Sequence, residues 1–317
     1  MDPEAFCRQS NIVIVVGKGG VGKTTLSATL ALTAARAGLS VLVAALDDSG
    51  GLAQLFGHPA ELGYDKQLLV DGGATGGEVR GRLLTSDAAL VEYLADHGLR
   101  RVSRRLVQSG ALDVVATAIP GIREVLVLGK LKQLELARAA DLIVLDAPAT
   151  GHAVSFLTSS GGLFDAARGG PLRRQAEQVV QLLADPARCS VLLATLPEET
   201  PVNEVIETAY RLEDEVGIAL AGIVVNACYP VLAGLRTDPA TAAREAGVRA
   251  PTELLARLGA AADFREARQE LQEAAIERLG RELPLQQLRL PFLFATNFGP
   301  VELEILSDAL AGEIARR

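Results

Sequence analysis

The chain of 317 residues has a net charge of −8 and is 49% apolar, enough to bury a sizeable core and to exclude a disordered segment. Its acidic balance argues against nucleic acid as the main partner, because phosphate-backbone binding needs a concentrated positive surface. The three cysteines, Cys7, Cys189 and Cys228, lie far apart with no Cys-x-x-Cys pair; this argues against an intrachain zinc or iron–sulfur site and reads as free thiols in a reducing compartment.

The start, Met1-Asp2-Pro3-Glu4, lacks the basic and apolar regions of a secretory signal, and no apolar run reaches the ~18–20 residues that span a bilayer. A soluble cytoplasmic protein without a transmembrane segment is the expectation. No internal repeat stands out, and the scarcity of aromatics (4%) beside abundant Ala, Val and Leu favours buried parallel strands under helices.

In chain order, residues 11–16 (Asn-Ile-Val-Ile-Val-Val) are apolar at both alternating positions and predict a central parallel strand. The run Gly17-Lys18-Gly19-Gly20-Val21-Gly22-Lys23-Thr24-Thr25 follows, and then Leu26, Leu30, Thr33, Ala34 and Ala37 at helical spacing, stopped by Gly38. Val41 to Leu46 reads as a second buried strand. Residues ~80–138, rich in Leu, Arg and Glu, read as a mostly helical insertion, and the glycine-rich Asp71 to Gly77 as a loop. Further strands are expected at Asp141 to Asp146, Ser190 to Thr195, Gly217 to Asn226 and within Gln286 to Phe294. Helices are expected over Pro201 to Glu215 and Val301 to Arg317, and a second helical insertion over ~231–283, where Phe264, Ala267, Leu271, Ala274 and Leu279 recur three to five apart. Strands alternating with helices imply one α/β domain, 1–317, around an open, mostly parallel sheet.

The chemistry concentrates at Gly17-x4-Gly22-Lys23-Thr24, a phosphate-binding P-loop with a strand before it and a helix after it. The glycines let successive backbone N–H groups point into one concavity at a positive helix N-terminus. Lys23 neutralises the β- and γ-phosphates, and the Thr24 hydroxyl is a Mg²⁺ ligand. Gly17, Lys18, Gly19, Gly20, Val21, Gly22, Lys23, Thr24 and Thr25 are therefore the candidate nucleotide-binding residues. No Asn-Lys-x-Asp string for guanine is present, which favours ATP. Asp146, closing an apolar strand, is the candidate second Mg²⁺ ligand.

The second lysine at the loop's start, Lys18, has no part in the basic P-loop scheme. The whole string resembles the deviant Walker A loop of the MinD/ParA/nitrogenase-iron-protein/ArsA superclass. That resemblance implies a dimer sandwiching two ATP molecules, with Lys18 reaching the partner's nucleotide. Asp146-Ala147-Pro148-Ala149-Thr150-Gly151-His152 resembles the switch II signature of the ArsA and Get-pathway (tail-anchored-protein-targeting) ATPases, supported by Ala118 to Glu124, Leu196 to Glu199 and Val225-Asn226. By the same resemblance Asn226 contacts adenine with help from the loop within Phe292 to Gly299. Asp47 orients the attacking water, with Asp48 as runner-up; Asp47, Lys18 and Lys23 form the implied catalytic set. His152 reads equally as a switch residue or a structural histidine.

This chain departs from the family's usual Asp-Pro-Ala-His switch I, reading Asp47-Asp48-Ser49-Gly50, and has neither the cysteine cluster of an arsenite site nor a methionine-rich client groove, its single Met being Met1. The leading expectation is a Mg²⁺-dependent dimeric ATPase, a homodimer or a heterodimer with a paralogue, that couples hydrolysis to a client or membrane partner. Two others stand beside it: a ParA/MinD-like positioning ATPase, and the energising subunit of an anion or metalloid transporter. The first of these would show a basic DNA-binding surface or a basic amphipathic C-terminal membrane helix, whereas Val301 to Arg317 carries Glu302, Glu304, Asp308 and Glu313 against Arg316 and Arg317.

Overall fold

The computed structural model describes residues 1–46, 51–73, 76–96, 98, 121–166 and 169–316. The switch I residues Asp47 and Asp48 lie outside the described residues, as do residues 97 and 99–120 of the segment read as the first insertion and, with them, residues 118–120 of the family-like string Ala118 to Glu124. In chain order the elements are α1 (Pro3–Cys7), β1 (Ile12–Gly17), α2 (Lys23–Arg36), β2 (Val41–Ala45), α3 (Leu52–Leu55), β3 (Gln67–Val70), β4 (Val79–Leu83) and α4 (Ser86–Asp96). Then come α5 (Ile122–Leu136), β5 (Leu142–Ala149), α6 (Thr150–Ala166), α7 (Gly170–Ala184), β6 (Cys189–Thr195) and α8 (Glu199–Arg211), which runs into a π-turn over Leu212–Val216. The chain continues through β7 (Ala219–Cys228), α9 (Pro239–Glu245), α10 (Thr252–Glu282), β8 (Gln287–Pro291) and α11 (Pro300–Ala315).

The strands form one sheet in the order β3-β4-β2-β5-β1-β6-β7-β8. Every pairing is parallel except β3 with β4, so the expected α/β class with a mostly parallel sheet is borne out. All six β1 residues are buried, and the period-2 pleat explains why none is polar. Ile12, Ile14 and Val16 join one apolar cluster, with Leu131 of α5, Leu157 of α6, Leu182 of α7, Val205 of α8 and Ile276 and Leu279 of α10. Val13 and Val15 point the other way, into a second cluster with Phe6 of α1, Leu30 of α2, Leu52 of α3 and Leu306 and Leu310 of α11. Connections moving toward the β3 edge carry their helices on the second face, and those moving toward β8 carry them on the first, as right-handed crossovers require. The strand order reverses beside β1, which opens a crevice at the C-terminal strand ends.

Two strands were absent from the sequence reading. Val79–Leu83, at the head of the segment read as a helical insertion, pairs parallel with β2, and Gln67–Val70 pairs antiparallel with it from the outside. In β4 the residues Arg80 and Arg82 conceal the strand pattern. Arg82 is nonetheless buried, its guanidinium 4.5 Å from the Tyr64 ring centroid. The second segment, ~231–283, is helical as α9 and α10. In the 31-residue α10 only Gln272, Ile276 and Leu279 are buried. α11 spends its apolar face (Leu303, Leu306, Leu310, Ile314) inside the second cluster, where it packs on α2. No helix among the described residues is long and apolar enough to cross a membrane.

Candidate functional site

The loop between β1 and α2 sits at the crevice, and its glycines have separate physical causes. Gly17 lies where a Cβ would meet the Ala194 carbonyl of β6 at 2.3 Å, so close strand approach excludes any side chain. Gly20 and Gly22 have φ of +87° and +89°, the left-handed region that favours glycine. A Cβ on Gly22 would also meet Asn226 Nδ2 at 2.4 Å. Helix α2 begins at Lys23 immediately after the loop, so its unpaired N–H groups face the concavity.

Thr24 and Asp146 are brought together at this helix start. The Thr24 hydroxyl donates to Asp146 Oδ2 at 2.6 Å, and the Ser27 hydroxyl donates to Oδ1 at 3.3 Å. Burial pushes the Asp146 carboxyl above the ordinary range, against the lowering pulls of the Thr24 hydroxyl, the Lys23 ammonium and the Ser27 hydroxyl. Burial likewise lowers the Lys23 ammonium, partly opposed by Asp146. Lys23 Nζ donates to the Lys18 carbonyl at 3.2 Å, curled along the loop. Sequence reasoning missed Ser27, which reads as an ordinary helix residue one turn after Thr24; its only signal was that spacing.

Lys18 and Asn226 make contacts the sequence did not foretell. Lys18 Nζ donates to Glu204 Oε1 of α8 at 2.5 Å, within the same chain. Asn226, at the end of β7, donates from Nδ2 to the Val21 carbonyl at 2.9 Å and accepts the Ala227 N–H on Oδ1 at 2.9 Å. Ala227 has a φ of +57°, a strained conformation for a residue with a Cβ. Asn226 thus staples the phosphate loop to the sheet. It also lines a cavity of about 380 Å³ with Gly20, Gly22, Thr25, Phe292, Leu293 and Phe298. That cavity has the apolar, partly aromatic walls a planar base needs beside a phosphate loop. His152 lies exposed in the first turn of α6. Larger grooves of about 590 and 630 Å³ run along α10 between Val231 and Glu273, away from the glycine loop.

A hard divalent cation fits the chemistry of the donors present, a hydroxyl and a carboxylate oxygen held in contact. Among the described residues no cluster of three or more His, Cys, Asp or Glu forms an all-protein metal cage.

Residues 10–161 match the family described as anion-transporting ATPase. The chain is 36% identical over 224 residues to ATPase BagA of Mycobacterium tuberculosis, covering 68% of this chain and 65% of that protein. It is 27% identical over 244 residues to the putative arsenical pump-driving ATPase of Halobacterium salinarum, covering 70% of this chain and 36% of that protein. To ATPase get3 of Aspergillus terreus it is 30% identical over 153 residues, covering 46% of this chain and 42% of that protein. The chain thus spans less than two thirds of the length of each of these relatives.

Proposed function

Residues 10–161 make this chain a member of the anion-transporting ATPase family, and from that premise we propose that it is a Mg²⁺-dependent, dimeric ATPase whose cycle controls binding of a protein partner. The observation that carries the catalytic half is the Thr24–Asp146 contact at the mouth of the glycine loop. In this reading the loop N–H groups and Lys23 bind the β- and γ-phosphates. Thr24 and Asp146 hold Mg²⁺, which when bound neutralises charge on the phosphate oxygens. Asn226 and the wall from Phe292 to Phe298 take the adenine. Asp47 orients the attacking water, and Lys18 serves the nucleotide across the dimer interface.

Two measurements test this. The solution mass with a non-hydrolysable ATP analogue and Mg²⁺ is expected to be that of a dimer for wild type and of a monomer for Lys18→Ala. Monomers from both would remove the cross-interface role. Phosphate release is expected only with Mg²⁺ present, and Asp47→Asn is expected to slow it about a hundredfold while ATP still binds. A wild-type rate in that variant would remove Asp47 from the mechanism.

The partner half rests on α10. Leu254, Leu258, Phe264 and Leu271 are exposed along it, Phe264 by 69%, and Val231 and Leu232 of the adjacent groove are exposed too. So much apolar surface on one projecting helix is the mark of a protein-binding face. The organisation of α11 supports this reading over a membrane-positioning one, because the apolar face of that helix is already buried on α2.

A further inference from the structure

Of the loop's two ammonium groups, only Lys23 is turned along the loop. The other, on Lys18, is already engaged by a carboxylate: Glu204, 186 residues away in sequence, accepts from Nζ at 2.5 Å. Both ends of this contact are anchored. The Lys18 carbonyl accepts from Lys23 Nζ, which ties it into the phosphate loop. Glu204 projects from α8, whose opposite side is fixed in the core by Val202, Val205 and Ala209. The carboxylate therefore reaches the loop from a helix packed into the core, and rotation of either side chain opens the bond.

We propose that Glu204 is a positioning residue that holds Lys18 away from phosphate, and that the terminal phosphate of ATP must displace this carboxylate before Lys18 can act. The inference rests on the ATPase reading above and deepens it. An ammonium whose charge is met at 2.5 Å by a carboxylate adds little attraction for an incoming phosphate until the pair opens. Opening transfers Lys18 from one anion to another, so the penalty is the strength of the existing pair. Both side chains are 36% exposed, which screens the pair and keeps that strength modest. Glu204 thus acts as a threshold: a ligand with the full triphosphate charge pulls Lys18 away, and one lacking the terminal phosphate gains less from doing so. The same helix is tied to α10 by Arg278 on Asn203, so the platform under Glu204 also adjoins the exposed apolar helix.

The test is the equilibrium dissociation constant of a non-hydrolysable ATP analogue, and of ADP, with Mg²⁺ for the full chain and four variants: Glu204→Gln, Glu204→Asp, Lys18→Ala and the Lys18→Ala/Glu204→Gln double variant. Glu204→Gln is expected to bind the ATP analogue roughly three- to fivefold tighter than wild type, the factor that one exposed ion pair supports. ADP should change less, and Glu204→Asp should restore near wild-type affinity. In the Lys18→Ala background, Glu204→Gln is expected to change nothing. General relief from deleting a nearby negative charge would persist without Lys18, so a tightening that survives Lys18→Ala overturns the proposal. Unchanged or weaker binding by Glu204→Gln also overturns it while leaving the ATPase reading intact. Failure of the wild-type chain to bind either nucleotide would instead overturn that reading, and this inference with it.

Discussion

Asp146→Asn is expected to reduce ATP hydrolysis at least about a hundredfold and, at the same time, to raise the melting temperature of the nucleotide-free protein at neutral pH. The two effects share one origin. Asp146 stands at the end of β5 with its carboxylate contacted by Thr24 and Ser27, where burial pushes its protonation above the ordinary range. Because the folded state binds the proton more tightly than the unfolded chain, the ionised side chain destabilises the fold wherever it is charged. That deficit is complete above the folded-state value, shrinks as pH falls through it, and is gone below the ordinary carboxyl value of 3.8. Asparagine keeps the shape and an acceptor for Thr24 but carries no charge, so it removes the deficit along with a cation ligand. Calorimetry at pH 7 and below pH 4 should show the variant's advantage at the first and not at the second. A lower melting temperature than wild type at pH 7 would mean that the Thr24 and Ser27 hydrogen bonds outweigh desolvation.

Gly17→Ala is expected to destabilise the fold by about 3 kcal/mol and to abolish nucleotide binding, whereas Gly20→Ala should cost only about 1 kcal/mol. The new methyl at Gly17 meets the Ala194 carbonyl at 2.3 Å, a backbone atom of β6 that cannot swing aside, with Val21 Cγ2 at 3.0 Å. Relief requires β1 to move off β6 at the residue where strand becomes phosphate loop. At Gly20 nothing lies within 4 Å of the added methyl, so only the left-handed φ of +87° is penalised. Urea unfolding of both variants separates the causes. Equal losses would show that backbone conformation, and not the approach of β6, dictates glycine along this loop.

The core of the sheet was legible because of its environment. Strands β1 and β2, the first four residues of β5, Val191 to Ala194 of β6 and the centre of β7 are covered on both faces, and there the sequence is apolar without interruption. Where the environment is mixed the pattern fails. Strand β3 is half-exposed at the sheet's edge, and β4 sets Arg80 and Arg82 among Val79, Gly81 and Leu83, with Arg82 packed over an aromatic ring that only the fold supplies. Spacing identified α10 as a helix but not which face is covered: Leu279 is buried while Phe264 and Leu271 are exposed. At the site, the loop declares itself through local sequence, since glycine conformation and helix start are local properties. The Lys18–Glu204 pair and the Asn226 staple join residues 186 and 205 positions apart, and no periodicity or spacing rule reaches that far.

The burial of α10 at one end, beyond which it is held by exposed contacts such as Arg268 with Glu198 and by the short helix α9, has a mechanical consequence. From Gln272, the first buried position, back to Thr252 the helix extends about 30 Å at ~1.5 Å per residue. A stiff rod held at its base acts as a lever, converting rotation into travel. Over that length each degree of tilt at the base sweeps the tip by about half an ångström. The base adjoins Tyr229, whose N–H is held by the Gln272 amide oxygen and whose ring stacks with Phe294 beside the candidate base cavity. A tilt of a few degrees there would therefore arrive at Leu254 and Leu258 as displacements of about one to two ångströms, enough to open or close an apolar contact.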